Sequence, residues 1–423
     1  MMALEGPFLA AVIARLPDPK FNLAAYGVAF AFAILIEAPV IMIMSASTAL
    51  VEDGPSFRRL RNFTYALNAL ITALMLLVVI PPVFDFIARD LIGLPDEVAR
   101  LTHGAMLILI PWPAAIGYRR FFQGLLIRDG STRLVAYGTV VRLSTMTATA
   151  LVLYRFTSIP GAYLGAAALT AGVCVEALAA RLMVRGALGR VRGAQPPESN
   201  EVHLLDYRRI LQFYTPLAMT SLIGLAVHPM VTFFMGRARY PVESLAVLPV
   251  VTSLSFVFRA MGLSYQEVAI TLLGKNHEHV KELGRFALIL GLASSAGLAL
   301  IGFTPLAGVW FETISGLSQE LTAFAIAPAR ILAPLPALSV LLSFQRAILV
   351  QGRSTHPITT ATAIEVLGIL VVLAILIQGP NLVGVTAAAI AFVAGRAGGN
   401  TYLWLPCLRV LDASRTRAMG TPS

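Results

Sequence analysis

Twelve apolar stretches, each near the roughly 20 residues that an α-helix needs to cross a bilayer, divide this sequence and leave little chain between them. They fall at residues 1–16, 23–50, 63–88, 100–127, 132–154, 160–186, 210–235, 243–272, 284–311, 321–350, 356–378 and 382–406. In hydrocarbon every backbone N–H and C=O must be satisfied within its own segment, which selects helices over open sheets. Only 13% of the 423 residues are charged, against about 25% in soluble domains, so the surplus apolar surface must face lipid. The expected fold is an all-α membrane protein with twelve transmembrane helices.

The chain also repeats itself. A shift of 223 carries Pro111 onto Pro334, Pro113 onto Pro336, Ala114 onto Ala337 and Ser131-Thr132 onto Ser354-Thr355. A shift of 222 carries Pro7 onto Pro229, Arg15 onto Arg237, Pro19 onto Pro241 and Leu23-Ala24 onto Leu245-Ala246. This spacing predicts two pseudo-symmetric six-helix halves: an N-terminal lobe over 1–186, a cytoplasmic linker over 187–209, a C-terminal lobe over 210–408 and a tail over 409–423. An even number of crossings per half relates the halves by a pseudo-two-fold along the membrane normal. With both halves in one chain, a monomer is the expected working unit. The counterpart of Ile210 would precede Met1, so the natural chain is expected to start upstream or its first helix to be partial. Pro7, Pro229, Pro111 and Pro334 lie at equivalent places in apolar helices, where proline removes a backbone hydrogen bond, and they are the expected hinges.

The net charge of +10 follows topology. Eighteen basic residues fall in the even-numbered loops and the tail, and seven in the others, which places both termini in the cytoplasm and the protein in an inner membrane. Nucleic acid is therefore not an expected partner. Cys174 and Cys407 lie far apart in apolar stretches, and only His277 and His279 are close together, so neither a disulfide framework nor a metal is expected.

Charges inside the spans carry the chemistry. Seven arginines (119, 120, 142, 259, 330, 346 and 396) and the acids Glu37, Glu176, Glu267 and Glu365 sit there, and each must face water or another charge. The repeat puts Glu37 in the position of Arg259, and Arg142 in that of Glu365. One expectation is that these pairs bridge the halves; the other is that each charge is neutralised within its own half. The surplus of guanidinium favours an anionic cargo, because arginine matches phosphate and carboxylate bidentately. Arg119, Arg120, Arg259 and Arg346 are the candidate cargo contacts, Glu37 and Glu267 the candidate coupling or gating acids, and Arg142 and Glu365 a further gating pair. No cofactor is expected. The sequence has no Gly-x-x-x-x-Gly-Lys-Ser/Thr loop, no Gly-x-Ser-x-Gly and no His-Glu-x-x-His, so a proton or sodium gradient, not ATP, is the expected energy source, and enzymatic activity is not expected.

Leu23-Ala-Ala-Tyr-Gly27 in the second helix, with Gln123-Gly124 and Gly130-Ser-Thr132 closing the fourth, resembles the MOP flippase superfamily, whose best-known branch is the MATE exporters. Tyr214-Thr-Pro-Leu-Ala218, Pro328 to Pro336 and Val383-Gly-Val-Thr-Ala-Ala-Ala389 are similar to the progressive ankylosis proteins. The resemblance implies a V-shaped pair of lobes and rocking-bundle alternating access. It implies membrane lipid as surroundings and, as cargo, an exported organic or phosphorylated anion, a cationic drug, or a lipid-linked substrate.

Overall fold

The computed structural model describes residues 4–193, 206–273, 278–352, 354 and 356–419, without the side chains of 192, 193, 267 and 414–419. Every apolar stretch is helical. In chain order the helices are α1 (Glu5–Ile13), α2 (Pro19–Glu37), α3 (Ile43–Leu50), α4 (Gly54–Val78), α5 (Pro81–Asp85), α6 (Asp96–Ile108), α7 (Pro111–Arg128), α8 (Thr132–Phe156), α9 (Gly161–Met183), α10 (Arg185–Gly193), α11 (Tyr207–Leu225), α12 (Val227–Gly236), α13 (Pro241–Leu272), α14 (Val280–Phe303), α15 (Leu306–Gly308), α16 (Gln319–Ile331), α17 (Leu335–Gln351), α18 (His356–Gln378) and α19 (Gly384–Met419). Among the described residues nine segments are long and apolar enough to span a membrane, and the bent pair α16 and α17 makes a tenth. The chain is a multi-pass membrane protein. Its exposed side chains include Leu70, Phe156, Leu178, Phe303 and Ile375, as lipid contact requires.

The duplication is written into the backbone. Asp18 and Tyr240 are 222 residues apart, and both are non-glycine residues in the left-handed region, with φ of 51° and 55°, each capping a helix that opens on proline. Two π-helical turns, Phe86–Leu91 and Val309–Ile314, are offset by 223, and each is followed by a glycine at positive φ, Gly93 and Gly316. Helices α6 and α16 have the same offset at both ends.

Packing divides the chain into two units, but not at the linker. Among the described residues one unit comprises 16–229, and the other comprises 4–15 and those from Met230 on. This differs from the sequence division at two places. Helix α1 belongs with the second unit, where Gly6 lies so close to α13 that a Cβ there would approach Ser253 Cβ to 2.9 Å. Arg15 fixes the attachment: its Nη1 donates to Ala11 O at 2.6 Å, and its Nη2 donates to Thr313 O at 2.7 Å and Ile314 O at 2.9 Å. These carbonyls lie at two helix ends and have lost their helical partners. Helix α11 belongs with the first unit, where Tyr214 donates its hydroxyl proton to Pro39 O and packs edge-on against Phe63 at 5.2 Å. The first part of the expected linker is helical, as α10, while 194–205 lie outside the described residues; α19 runs on through the expected tail to Met419.

The expected hinge prolines open helices instead of interrupting them. Pro111 is the first residue of α7 and Pro334 caps α17, whose axis is bent 40° from that of α16. Pro7 and Pro229 are the third residues of α1 and α12, where a missing N–H leaves no helical bond broken. Pro229 still accounts for a break, because it cannot donate to Leu225 O and so α11 and α12 are separate helices. The unit boundary falls at that proline.

Candidate functional site

In the first unit the intramembrane charges gather on α2, α7, α8 and α9. Glu176 on α9 is fully buried and accepts two hydrogen bonds, from Arg119 Nη1 at Oε2 and from Gln123 Nε2 at 3.1 Å from Oε1, while Arg142 Nε stands at ion-pair distance, 3.5 Å from Oε2. Arg119 and Gln123 are one turn apart on α7 and so present the same face to α9. Gly172 lets α8 approach, since a Cβ there would lie 3.1 Å from Arg142 O. This is a closed network. Its carboxylate is spoken for, and so is Arg119.

Beside it lie two groups without such partners. Glu37 ends α2 where a 3₁₀ turn, Ala38–Val40, interrupts the path to α3. It is 93% buried, its Oε2 accepts no hydrogen bond, and no arginine stands at ion-pair distance among the described residues. The charges that act on it most are Arg120, then Arg119 and Arg142. Arg120 reaches only the thioether of Met44, at 3.8 Å, and its Nε is buried without a partner.

The second unit holds a different arrangement. Glu365 on α18 pairs with Arg396 on α19, with Oε1 at 2.7 Å from Nη2 and 2.8 Å from Nε. Arg396 Nη1 also donates to Ser339 Oγ on α17 at 3.0 Å, and Arg259 Nε on α13 donates to that same oxygen at 3.2 Å. Ser339 passes its own proton to Leu335 O at 2.8 Å. Two turns along α17, Arg346 meets only the hydroxyl of Thr362, at 3.3 Å, and its buried Nε has no partner. Arg330 is occupied at a helix end, donating to Gly302 O at 2.8 Å and lying over Phe303.

Arg142 and Glu365 are thus each paired inside their own unit. The opposite charges at equivalent positions arise because each unit's pair joins the same two helices with its polarity reversed. The sequence reading noted Glu176 and Arg396 without giving them roles, named Gln123 only as part of a resemblance, and missed Ser339. A neutral residue in a span gives no signal until the charge that it serves is known. Glu267 lies on α13 with its side chain outside the described residues. Among the described residues no group of three metal-ligating side chains occurs.

No protein-family profile matches the sequence, and comparison with curated proteins finds no relative. Solved structures do match along nearly the whole chain. An inward-facing multidrug resistance MATE family transporter of the MOP superfamily is 16% identical with a TM-score of 0.72, covering 97% of this chain and 95% of that one. The lipid II flippase MurJ, in an inward closed conformation, is 13% identical with a TM-score of 0.74, over 100% and 91%. A MOP superfamily transporter from Pyrococcus furiosus, whose binding pocket is described as having reverse polarity, is 17% identical with a TM-score of 0.60, over 97% and 92%. At these identities the likeness establishes the fold: twelve helices arranged as in the MOP transporters.

Proposed function

We propose that this chain, which has the fold of the MOP transporters, is a secondary transporter that carries an organic or phosphorylated anion across the membrane by alternating access. The observation that carries the reading is the surplus of guanidinium inside the spans. Arg119, Arg120 and Arg142 face two carboxylates in the first unit, and among the described side chains of the second Arg259, Arg330, Arg346 and Arg396 share one carboxylate, that of Glu365. A positive charge left over in a low-dielectric interior is costly unless something negative joins it. Of the four candidate contacts, Arg119, Arg120 and Arg346 each keep a buried Nε without a hydrogen bond, Arg119 is ion-paired with Glu176, and Arg259 donates to the neutral Ser339 Oγ. Glu37 is the acid best placed to couple transport to protons, because among the described residues no arginine stands at ion-pair distance from it and its Oε2 accepts no hydrogen bond. The arginine distribution supports a reading with both termini on the cytoplasmic side.

The test is transport by purified protein in vesicles, with labelled organic and phosphorylated anions compared against a cationic dye. Anion uptake that Arg259→Ala abolishes supports the reading. Dye movement indifferent to Arg259 would transfer the protein to the cation-exporting type, with its arginines as structural partners. In the same assay Glu37→Gln should remove the dependence on a proton gradient while leaving downhill exchange; a variant that still concentrates cargo against a gradient would exclude Glu37 from coupling.

A further inference from the structure

Among the described side chains of the second unit, two arginines beside Ser339 and Thr362 have no carboxylate of their own. Arg396 is neutralised by Glu365, but Arg259 and Arg346 have no carboxylate at ion-pair distance among the described residues, and their described side-chain contacts are hydroxyls. Ser339 makes the imbalance specific. Its oxygen accepts from both Arg259 and Arg396, so two guanidinium groups converge on one neutral atom that is 95% buried. A neutral hydroxyl is a weak acceptor for two cations, and charge-assisted bonds to an oxyanion are roughly twice as strong as neutral ones. Arg346 lies on the same face of α17, seven residues from Ser339 and therefore about 10 Å along the axis. Its buried, unpartnered Nε is a donor with nothing to donate to.

From this we infer that the second unit binds a doubly charged oxyanion between Arg259, Arg396 and Arg346, with Ser339 marking the position of one anionic oxygen. The inference rests on the anion-transport reading for its purpose, not for its geometry. Two uncompensated charges discriminate by valence: a dianion balances both and a monoanion leaves one buried. The chemistry fits sulfate and phosphate monoesters alike, whether free in solution or at the head of a lipid. It gives a pH signature, because a phosphate monoester becomes a dianion near pH 6 whereas sulfate is a dianion throughout the working range.

The experiment is calorimetric titration of the full-length protein in neutral-lipid nanodiscs with sulfate, nitrate and glycerol phosphate. Sulfate should bind at least about tenfold more tightly than nitrate, the gain expected from one charge-assisted bond. Glycerol phosphate should tighten from pH 5 to pH 7.5 while sulfate does not. Arg346→Gln, which orphans no acid, should erase most of the valence preference. Ser339→Asp should install the missing anion, raising the melting temperature of the ligand-free protein and abolishing the further rise that sulfate gives the wild type. Equal affinity for nitrate and sulfate, or sulfate binding untouched by both variants, overturns the site. Nanodiscs containing phosphatidic acid separate the sources: inhibition of sulfate binding by that lipid assigns the site to a headgroup, and its absence to a free anion. Dianion transport unaltered by Ser339→Asp would remove the site and keep the transport reading. Sulfate binding lost in Ser339→Asp, with vesicles that move no anion, would keep the site and remove the reading.

Discussion

The two units are copies of one design that differ where charge is concerned. Their backbones agree in the left-handed residues at Asp18 and Tyr240, the π-helical turns and the glycines that follow them. Each unit also ties two corresponding helices together with an ion pair: Arg142 to Glu176 between α8 and α9, Glu365 to Arg396 between α18 and α19. The polarity is inverted. An ion pair works the same way read from either end, so the repeat has kept the bond and exchanged the partners. What the units do not share is what surrounds that bond. Glu176 satisfies two arginines and Gln123, which makes its cluster a structural knot. Glu365 satisfies one arginine and leaves two others unbalanced. The difference is what the proposed reading uses: it treats the first cluster as structural and the second as the place where an anion would bind.

The largest expected effect comes from breaking the knot. Glu176→Leu strands Arg119 and Arg142 in a buried site and should cost about 3–5 kcal/mol, the range for removing one partner of a buried pair. Glu365→Leu should cost visibly less, because its pair is 13–14% exposed and Arg396 retains Ser339. Denaturant unfolding of both variants in the same detergent measures the contrast, and equal losses would show that the two pairs are equivalent after all.

A double-mutant cycle sharpens the point. Exchanging Glu365→Arg with Arg396→Glu should recover most of the stability that either single change loses, because this bond has no third charged member. The corresponding exchange of Arg142 and Glu176 should recover little, since the arginine placed on α9 would meet Arg119. Recovery in both units would mean that Arg119 does not depend on Glu176.

These contrasts also mark how far the sequence could be read. Its helices were legible because burial in lipid demands long apolar runs, and the duplication was legible because proline and glycine landmarks survive where side chains drift. The membership of α1 and α11 was not legible. It turns on Arg15 reaching the carbonyls of Thr313 and Ile314, and on Tyr214 reaching Pro39 O, contacts some 175 to 300 residues apart in the chain. The intramembrane charges could be counted but not paired, because opposite charges at equivalent positions fit a bridge between halves as well as an inverted pair within each. The sequence displayed the break at Pro39 in Glu37-Ala-Pro39, yet its consequence needs the comparison with α13, which passes unbroken through the equivalent Met261.

That break offers a change of intermediate size. Leu35 O accepts from the Ala38 N–H in the 3₁₀ turn, and Pro39→Ala would offer it the α-helical donor at 39 instead and make α2 resemble α13. The variant should unfold no more easily than the wild type yet transport more slowly, if the interruption is where the first unit flexes. Tyr214→Phe, which removes the hydroxyl from Pro39 O, should cost about 1 kcal/mol. Unfolding and vesicle uptake measured on the same preparations separate the two effects, and unchanged uptake by Pro39→Ala would make the break a static feature.

The smallest effect lies at the end of α7, where the units close differently. Asp129 follows α7 and receives Arg190 from α10, Nε to Oδ1 at 2.6 Å, with Ser131 Oγ donating to Oδ2 at 2.7 Å. The residue 223 positions on is Gly352, and there α17 is closed by the side chain of Val410 from α19. One end is ionic and its counterpart apolar. The hydrogen bond from Arg190 holds the Asp129 carboxyl below the ordinary carboxylate range. A lowered folded-state value means that the stabilisation is complete above the unfolded value, near pH 3.9, and is lost as pH falls from there through the folded value. Because the Arg190 side chain is two-thirds exposed, salt should screen much of it. Asp129→Asn should therefore flatten the acid limb of the stability curve slightly at low salt and leave it unchanged at high salt. Gly352→Ala should act oppositely, lowering stability at every pH by crowding Val410. A pH-dependent loss in Gly352→Ala, or a pH-independent one in Asp129→Asn, would show that the two ends do not differ in the way their contacts indicate.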